Sequence, residues 1–222
     1  MTALDLRSLP DQLADLLRER ILAGLAEPGR PLRQDALAAE FGVSKIPLRE
    51  AMARLEHEGL LRAEANRGWF VRPLGAEEAR EIYALRLTLE PELARAAAAE
   101  ANDDERSAAQ TALETLEHAT SAHGASVGAL NRAFHLALVR PARRPITFDM
   151  VERLHVLADR YVRKHLEPLG RDTRANEEHR GLLQAWLDRD GETVATLLRA
   201  HLQQTLDDLE RQLETETTPP SP

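Results

Sequence analysis

The sequence predicts a mainly α-helical protein, with an N-terminal winged helix-turn-helix followed by an antiparallel bundle of about six helices. Three observations lead to this fold class. Ala, Leu, Arg and Glu dominate the composition, and all four are good helix formers. Apolar residues recur at helical spacing along most of the chain. Two short strand-like segments, joined by a turn-prone triplet, occur early and are followed by an unbroken series of helical patterns.

Composition excludes several classes of protein. The 222 residues include 43% hydrophobic and 30% charged residues, a balance typical of a folded domain rather than a disordered chain. The absence of cysteine excludes disulfides, cysteine-based zinc sites and thiol catalysis. No apolar run approaches the roughly 20 residues of a membrane span, and the N-terminus lacks the apolar core of a signal peptide. We therefore expect a cytoplasmic protein that does not contact a membrane.

The predicted first domain covers residues 1–74, where basic and acidic residues balance, so that the net charge of −8 falls on the remainder. Ser8 is a typical N-cap, with a proline in the first turn and Asp11 three residues later. The apolar spacing that follows predicts a helix as far as Gly24. The next predicted elements are a short helix over 34–41, a longer helix between Ser44 and Gly59, and strands over 60–65 and 69–72.

The second predicted domain covers residues 75–214 and is entirely helical. Prolines and glycines divide it into segments, and the short connections between them favour an antiparallel bundle. Residues 215–222 are rich in Thr and Pro and are predicted to be a disordered tail. The predicted helices cover 76–101, 104–122, 126–139, 145–166, 173–190 and 192–214.

The segment around Gly42 is the first candidate for function. Gly42 permits a tight turn between two helices, and Ser44 is placed to cap the second one. Lys45 and Arg49 then lie one turn apart on the outward face, where they suit phosphates and guanine edges in a DNA major groove. Arg67, at the tip of the predicted hairpin, could reach the DNA backbone or minor groove. The alternative is that these cations are ordinary solvated charges.

Three histidines are the second candidate. His135, His179 and His201 each project from the apolar face of a different predicted helix, so a bundle could direct all three imidazoles to one point. Three neutral imidazoles with one oxygen donor could hold a divalent metal ion, and Asn131, one turn before His135, could supply the oxygen. The alternative is that each is a hydrogen-bonded core residue. His155 is ambiguous, and the others are predicted to be surface residues: His57, His118, His123 and His165.

Several motifs of the first domain resemble the winged helix of the GntR family of bacterial transcription regulators. The resemblance covers residues 12–72 and is highly specific. It implies that the DNA-contacting residues are Ser44, Lys45, Arg49, Asn66, Arg67 and Gly68. Lys45 stands where the family more often has Arg, which weakens bidentate reading of guanine. The matching segments are Pro28-Gly-Arg-Pro-Leu32, Gly42-Val-Ser-Lys-Ile-Pro-Leu-Arg-Glu-Ala51, Leu55-Glu-His-Glu-Gly-Leu60 and Arg67-Gly68.

Residues 77–210 resemble the FCD ligand-binding domain of the FadR-type subfamily of these regulators. The resemblance implies a metal site formed by Asn131, His135, His179 and His201, and a small organic acid as effector. Metal-binding members often have an acidic residue at the position of Asn131, and a neutral amide is a weaker ligand. Arg86, among apolar residues, is the candidate for a second carboxylate contact, although an ion pair with Glu90 is equally compatible with the pattern.

Together these features predict a ligand-responsive repressor that binds double-stranded operator DNA as a homodimer. Its helical domain would bind a divalent metal ion, either zinc, nickel or manganese, and a small carboxylate effector. Two alternatives remain open at this point. One is a FadR-type regulator with a metal-free acyl or organic-acid pocket. The other is a metal-dependent hydrolase, although no inward carboxylate is placed as a general base beside the histidines.

Overall fold

A computed structural model describes residues 8–121, 127–166 and 171–217 of the chain. The chain divides between Pro73 and Leu74 into two compact units, one residue before the boundary that the sequence predicts. Within the described residues, no helix is both long and apolar enough to cross a membrane.

The first unit contains three helices and a three-stranded antiparallel sheet in the order β1-β3-β2. Its helices match the predicted ones closely. The two-residue strand β1 is not predicted by the sequence, because Pro31 and the turn residues before it suggest only a loop. The elements are α1 (Leu9–Leu22), β1 (Pro31–Leu32), α2 (Gln34–Phe41), α3 (Lys45–His57), β2 (Leu61–Glu64) and β3 (Gly68–Val71).

Helix α1 begins as its sequence predicts. The Ser8 side chain accepts a hydrogen bond from the Asp11 amide, and the Asp11 carboxylate accepts one from the Ser8 amide, which together form a capping box. One face of the helix then buries Leu13, Leu17 and Ile21 in the core of this unit. The cap and the apolar stripe are both local sequence features, which is why this helix is predictable.

The turn between α2 and α3 follows the expected pattern, with one correction. Gly42 has a φ of 66°, the left-handed conformation that glycine adopts readily. Ser44 occupies the N-cap position of α3, but its side chain makes no capping hydrogen bond, contrary to the prediction. The third helical residue is Pro47, which has no N–H to donate. The apolar face of α3 buries Leu48 and Met52 as expected.

The second unit contains the predicted six helices within its described residues. Helix α4 packs most extensively against α9, and the core gathers large side chains from several helices, among them Leu93, Leu138 and Trp186. The Trp186 indole donates a hydrogen bond to the Leu138 carbonyl at 3.0 Å. The helices are α4 (Ala76–Glu100), α5 (Asp103–Ser121), α6 (Val127–Val139), α7 (Pro145–Leu166), α8 (Arg171–Leu187) and α9 (Gly191–Thr217).

The C-terminal end differs from the prediction. Helix α9 continues to Thr217, so residues 215–217 are helical rather than part of a disordered tail. Their Thr and Glu residues carry no helix-breaking signal, and the prolines that suggested disorder come only at positions 219, 220 and 222. Residues 218–222 lie outside the described part of the chain, as do residues 122–126 and 167–170, where two of the predicted connections between helices fall.

Candidate functional site

The candidate DNA-contacting residues lie on the surface of the first unit. Ser44, Lys45 and Arg49 are exposed at the start of α3, where Ser44 leaves its hydroxyl uncommitted to a cap. Lys45 forms an ion pair with Asp35 of α2. Arg49 has no ion-pair or hydrogen-bond partner among the residues that the structure describes. The predicted cation pair is therefore present, and Arg49 is the member that is free to contact DNA.

The turn between β2 and β3 places the remaining three candidates. Asn66 and Gly68 have φ values of 60° and 92°, and Glu64 pairs with Gly68 across the hairpin. Arg67, at the tip, is 69% exposed and forms an ion pair with Glu64. Its guanidinium also lies 5.2 Å from the centre of the Phe70 ring, which holds the side chain close to the sheet.

The three predicted histidines converge in the second unit. His135 comes from α6, His179 from α8 and His201 from α9, and all three are buried. Each contributes a ring nitrogen, and the three nitrogens lie within 4.8 Å of one another. The Nε2 atoms of His179 and His201 are 3.3 Å apart. Helical spacing alone placed each histidine on an inward face, and the fold brings the three faces together.

Burial and mutual repulsion favour the neutral form of two histidines in this cluster. Burial, followed by the neighbouring imidazoles, lowers the pKa of His135 and of His179 well below the usual histidine value. Both are therefore neutral at neutral pH, with a lone pair on one nitrogen. Glu178 lies 2.7 Å from Nδ1 of His201, and its carboxylate accepts a hydrogen bond from this nitrogen, which orients the ring and leaves Nε2 towards the other histidines.

The donor set fits a divalent metal ion. Nε2 of His135 and Nδ1 of His179 are buried and have no hydrogen-bond partner within the described ranges. Buried polar atoms without partners are unfavourable, and an ion bound by these imidazoles would give a partner to some of these nitrogens. Three imidazoles from rigid helices, one of them oriented by a carboxylate, form the donor set of an open site for zinc or a similar ion.

A cavity adjoins the histidine cluster. Its empty volume is about 460 Å³, including space open to solvent. Asn131 and Arg86, the other two predicted residues, both line it. Asn131 is half-buried, one helical turn before His135, on the same side of α6. The structure thus brings all five residues of the predicted metal and effector sites to one cavity.

Arg86 is more tightly held than the sequence suggests. Its Nε donates to Glu90 at 2.5 Å, and Nε2 of His155 lies 3.3 Å from the same carboxylate. All three side chains are almost completely buried. Although burial opposes ionisation of Glu90, Arg86 and His155 lower its pKa to about 2. The Arg86–Glu90 ion pair therefore exists, but in the protein interior rather than on the surface.

His165 is the site residue that the sequence prediction missed. It was predicted to lie on the surface because it follows Arg163 and Lys164, whereas it is only 5% exposed and lines the same cavity. Its position on α7, seven residues after Ala158 and four after Tyr161, continues a buried stripe that could have identified it. His57 and His118 are exposed as predicted, and His123 lies outside the described residues.

Comparison with known proteins agrees with this division of the chain. A family model for the FCD domain matches residues 81–204, and a model for bacterial regulatory proteins of the gntR family matches residues 9–71. Together they cover the helix-turn-helix, its hairpin and the helices that carry the histidines.

Similar proteins extend over most of the chain. An uncharacterized HTH-type transcriptional regulator, YdhC of Bacillus subtilis, is 29% identical over 208 residues, which cover 91% of this chain and 92% of the relative. The transcriptional repressor RspR of Escherichia coli is 26% identical over 194 residues, covering 87% and 85% of the two chains. The solved structure of E. coli McbR/YncC superposes with a TM-score of 0.81 at 26% identity, covering 93% of this chain and 99% of that one.

Proposed function

Because the chain belongs to the GntR family of bacterial regulatory proteins and carries an FCD domain, it is a DNA-binding transcriptional regulator, and we propose that it is a metal-containing, effector-controlled repressor. In this proposal a homodimer binds an operator through the first unit of each chain. The second unit binds a divalent ion, either zinc, nickel or manganese, and a small carboxylate effector. The family and the relatives are regulators and not enzymes, which removes the hydrolase alternative.

The observation that carries the metal proposal is the convergence of His135, His179 and His201 beside a cavity. A metal-free pocket for an acyl chain is less consistent with this geometry, because an apolar ligand would leave the buried Nε2 of His135 and Nδ1 of His179 without partners. The neighbouring Arg86, held in place by its ion pair with Glu90, adds a guanidinium with N–H donors to the cavity wall. Both features favour an anionic ligand such as a carboxylate.

Each site residue has a separate role in this proposal. The three histidines hold the ion, Asn131 offers an amide oxygen beside them, and Glu178 orients His201. A bound divalent ion supplies a Lewis acid that binds carboxylate oxygens. Arg86 attracts the same carboxylate by charge, while Glu90 fixes the position of its guanidinium. The effector would stabilise whichever arrangement of the helices closes around it.

The DNA-binding part of the proposal rests on α3 and the hairpin. Arg49 is free and one turn from the helix N-terminus, where it suits a base edge, while Lys45 and Arg67 suit phosphates. Two copies related by a two-fold axis would read a short inverted repeat. The names of relatives such as RspR support repression rather than activation.

A paired substitution tests the metal site. We expect wild-type protein to bind one divalent ion per chain in calorimetric titration with zinc, and His179→Ala to lose most of this binding. His118→Ala removes an exposed histidine of α5 and is the matched control. Ion binding stabilises the folded state, so added zinc should raise the melting temperature of the wild type and of the control, but not of His179→Ala.

DNA binding by the same variants tests control by the effector. With an operator selected from a randomised duplex library, His179→Ala should keep basal affinity within about twofold, because the first unit has its own core. Small carboxylates that alter wild-type operator binding should have no effect on the variant. Absence of ion binding by the wild type would favour the acyl-pocket alternative. A variant without metal that still responds to the effector would show that the ion is purely structural.

A further inference from the structure

Helix α3 exposes an isoleucine in its first turn. Ile46 is 71% exposed, more than any other large apolar side chain on a helix of the first unit, within the described residues. The buried face of the helix is formed by Leu48, Ala51, Met52 and Leu55. At roughly 100° of rotation per residue, Ile46 lies about 170° from the middle of that face. Its side chain is therefore directed away from the core of the unit.

The requirements of the helix do not explain this isoleucine. A β-branched side chain is a weaker helix former than alanine, and an exposed position offers it no packing in return. Ile46 also comes directly before Pro47, whose ring disfavours the helical conformation of the residue that precedes it. A single exposed aliphatic residue is common on protein surfaces and needs no explanation by itself. The position of Ile46 on α3 is what makes this one informative.

Ile46 lies between the two cations of α3 that are candidates for DNA contact. Lys45 precedes it and is paired with Asp35, whereas Arg49 follows three residues later and has no partner among the described residues. The N-terminal residues of a recognition helix are the ones that reach base edges in the major groove. An outward side chain in this turn, between cations that attract the DNA, is therefore placed to face the bases.

The chemistry of isoleucine selects one partner in the groove. The apolar group that base pairs present there is the C5-methyl of thymine, and isoleucine has no hydrogen-bonding group with which to recognise the others. Contact with this methyl removes apolar surface of both groups from water, and a β-branched side chain has little rotamer freedom to lose. Against cytosine, the same side chain would displace water from the N4 amino group and leave that donor unpaired.

We propose that Ile46 is a specificity-determining residue of the operator complex and contacts the C5-methyl group of one thymine in each half-site. The inference rests on the part of the proposed function that places α3 in the major groove. It adds an apolar contact to the predicted polar ones. Three helical residues rise about 4.5 Å and base pairs are stacked about 3.4 Å apart. The thymine is therefore expected about one or two base pairs from the position that Arg49 contacts.

Removal of single methyl groups from the DNA tests this contact. An operator is selected from a randomised duplex library with full-length protein, and each thymine of one half-site is replaced in turn by deoxyuridine, which pairs identically but lacks the methyl. At one thymine we expect wild-type affinity to fall about three- to fivefold, as for the loss of one buried methyl group. Ile46→Ser should bind the two duplexes within about 1.5-fold of each other, whereas Ile46→Val should keep most of the difference.

Three comparisons separate base reading from folding. Leu25→Ser removes another apolar side chain of the first unit, 74% exposed in the turn after α1, and should change neither operator affinity nor the effect of deoxyuridine. The melting temperature of Ile46→Ser should stay within about 3 °C of wild type, because the substituted side chain is exposed. In a duplex with cytosine at the identified position, 5-methylcytosine should raise the affinity of wild type but not that of Ile46→Ser.

Failure of this inference and failure of the proposed function give different results. An effect of deoxyuridine that persists in Ile46→Ser, or that is absent at every thymine in wild type, overturns the methyl contact. Weaker operator binding by Arg49→Ala would then still support α3 as the reading helix. If neither Arg49→Ala nor Ile46→Ser alters operator affinity, α3 does not read DNA and both proposals fail. A change in the sedimentation of the free protein on Ile46→Ser would assign the residue to a contact between protein chains and would also overturn the proposal.

Discussion

The candidate sites of the two units place their ion pairs in opposite environments. In the first, Lys45 and Arg67 form ion pairs at the surface, and the side chains of Lys45 and its partner Asp35 are 59% and 80% exposed. In the second, Arg86 and Glu90 form a pair that is 2% and 0% exposed. Water and salt screen the first pair strongly and the second hardly at all.

This difference matches the roles proposed for the two units. A cation that binds DNA has to exchange its carboxylate partner for a phosphate, and a weak, exposed ion pair permits that exchange. A cation that positions a ligand has to keep its place when the pocket is empty. A buried ion pair fixes the cation, because separating the two charges would leave each of them buried without a partner. The same type of interaction thus provides exchange in one unit and rigidity in the other.

The largest expected effect is on stability, from removal of the buried carboxylate. Glu90→Gln leaves the Arg86 guanidinium buried without a counter-charge, and we expect it to lower the free energy of unfolding by about 3–5 kcal/mol. Glu92→Gln is the matched control on the same helix, since Glu92 is exposed and paired with Arg95. The control should change little. Chemical denaturation measures both, and equal losses would contradict the distinction between buried and exposed pairs.

The buried ion pair also makes the free energy of unfolding depend on pH. The pKa of Glu90 is about 2 in the folded chain, against roughly 4.3 for an unperturbed glutamate. A lowered pKa contributes stability that is fully present above the unfolded value and is lost as pH falls through the folded one. The stability difference between wild type and Glu90→Gln should therefore be constant from pH 8 to about pH 5. It should shrink as the pH falls from about 4 towards 2, and a difference that did not change in that range would contradict the assignment.

The next largest effect concerns DNA. Arg49→Ala removes the free cation of α3, and we expect it to weaken binding to a selected operator by about 1–3 kcal/mol and to relax preference at one base pair. Lys45→Ala removes a cation paired with Asp35 and should mainly reduce the salt dependence of binding. Arg95→Ala, in the second unit, is the control. Unchanged operator affinity in a folded Arg49 variant would show that α3 does not read bases through this residue.

The two units also differ in how far sequence could predict them. In the first, the information is local: the capping box at Ser8, the left-handed Gly42 and the turn at Asn66 each act within a few residues. These short-range rules predicted all three helices and both strands of the hairpin. The rules failed only for the two-residue strand β1 and for the cap hydrogen bond of Ser44, where Pro47 removes one of the two amides that could donate it.

In the second unit, sequence predicted the helices and the inward face of each histidine, but not the contacts between helices. The hydrogen bond of His201 with Glu178 joins α9 to α8, and Arg174 of α8 forms an ion pair with Asp208 of α9. Neither pair lies within one helix, so no periodicity reveals it. His165 was misjudged for a different reason, because the adjacent Arg163 and Lys164 outweighed the buried stripe of Ala158 and Tyr161 that it continues.

The smallest expected effect is on DNA affinity, from removal of the carboxylates of the exposed ion pairs. Asp35→Asn and Glu64→Gln remove the carboxylates that compete with phosphate for Lys45 and Arg67, so we expect each to tighten binding to a random duplex by less than about fivefold. Glu50→Gln removes the same charge from α3, but Glu50 has no cation partner among the described residues, so it measures the effect of net charge alone. The gain beyond this control should be greatest at low salt and disappear as salt screens the pairs. If Asp35→Asn and Glu64→Gln gain no more than Glu50→Gln, the carboxylates do not restrain these cations, and the first unit binds DNA through net charge rather than through exchange of partners.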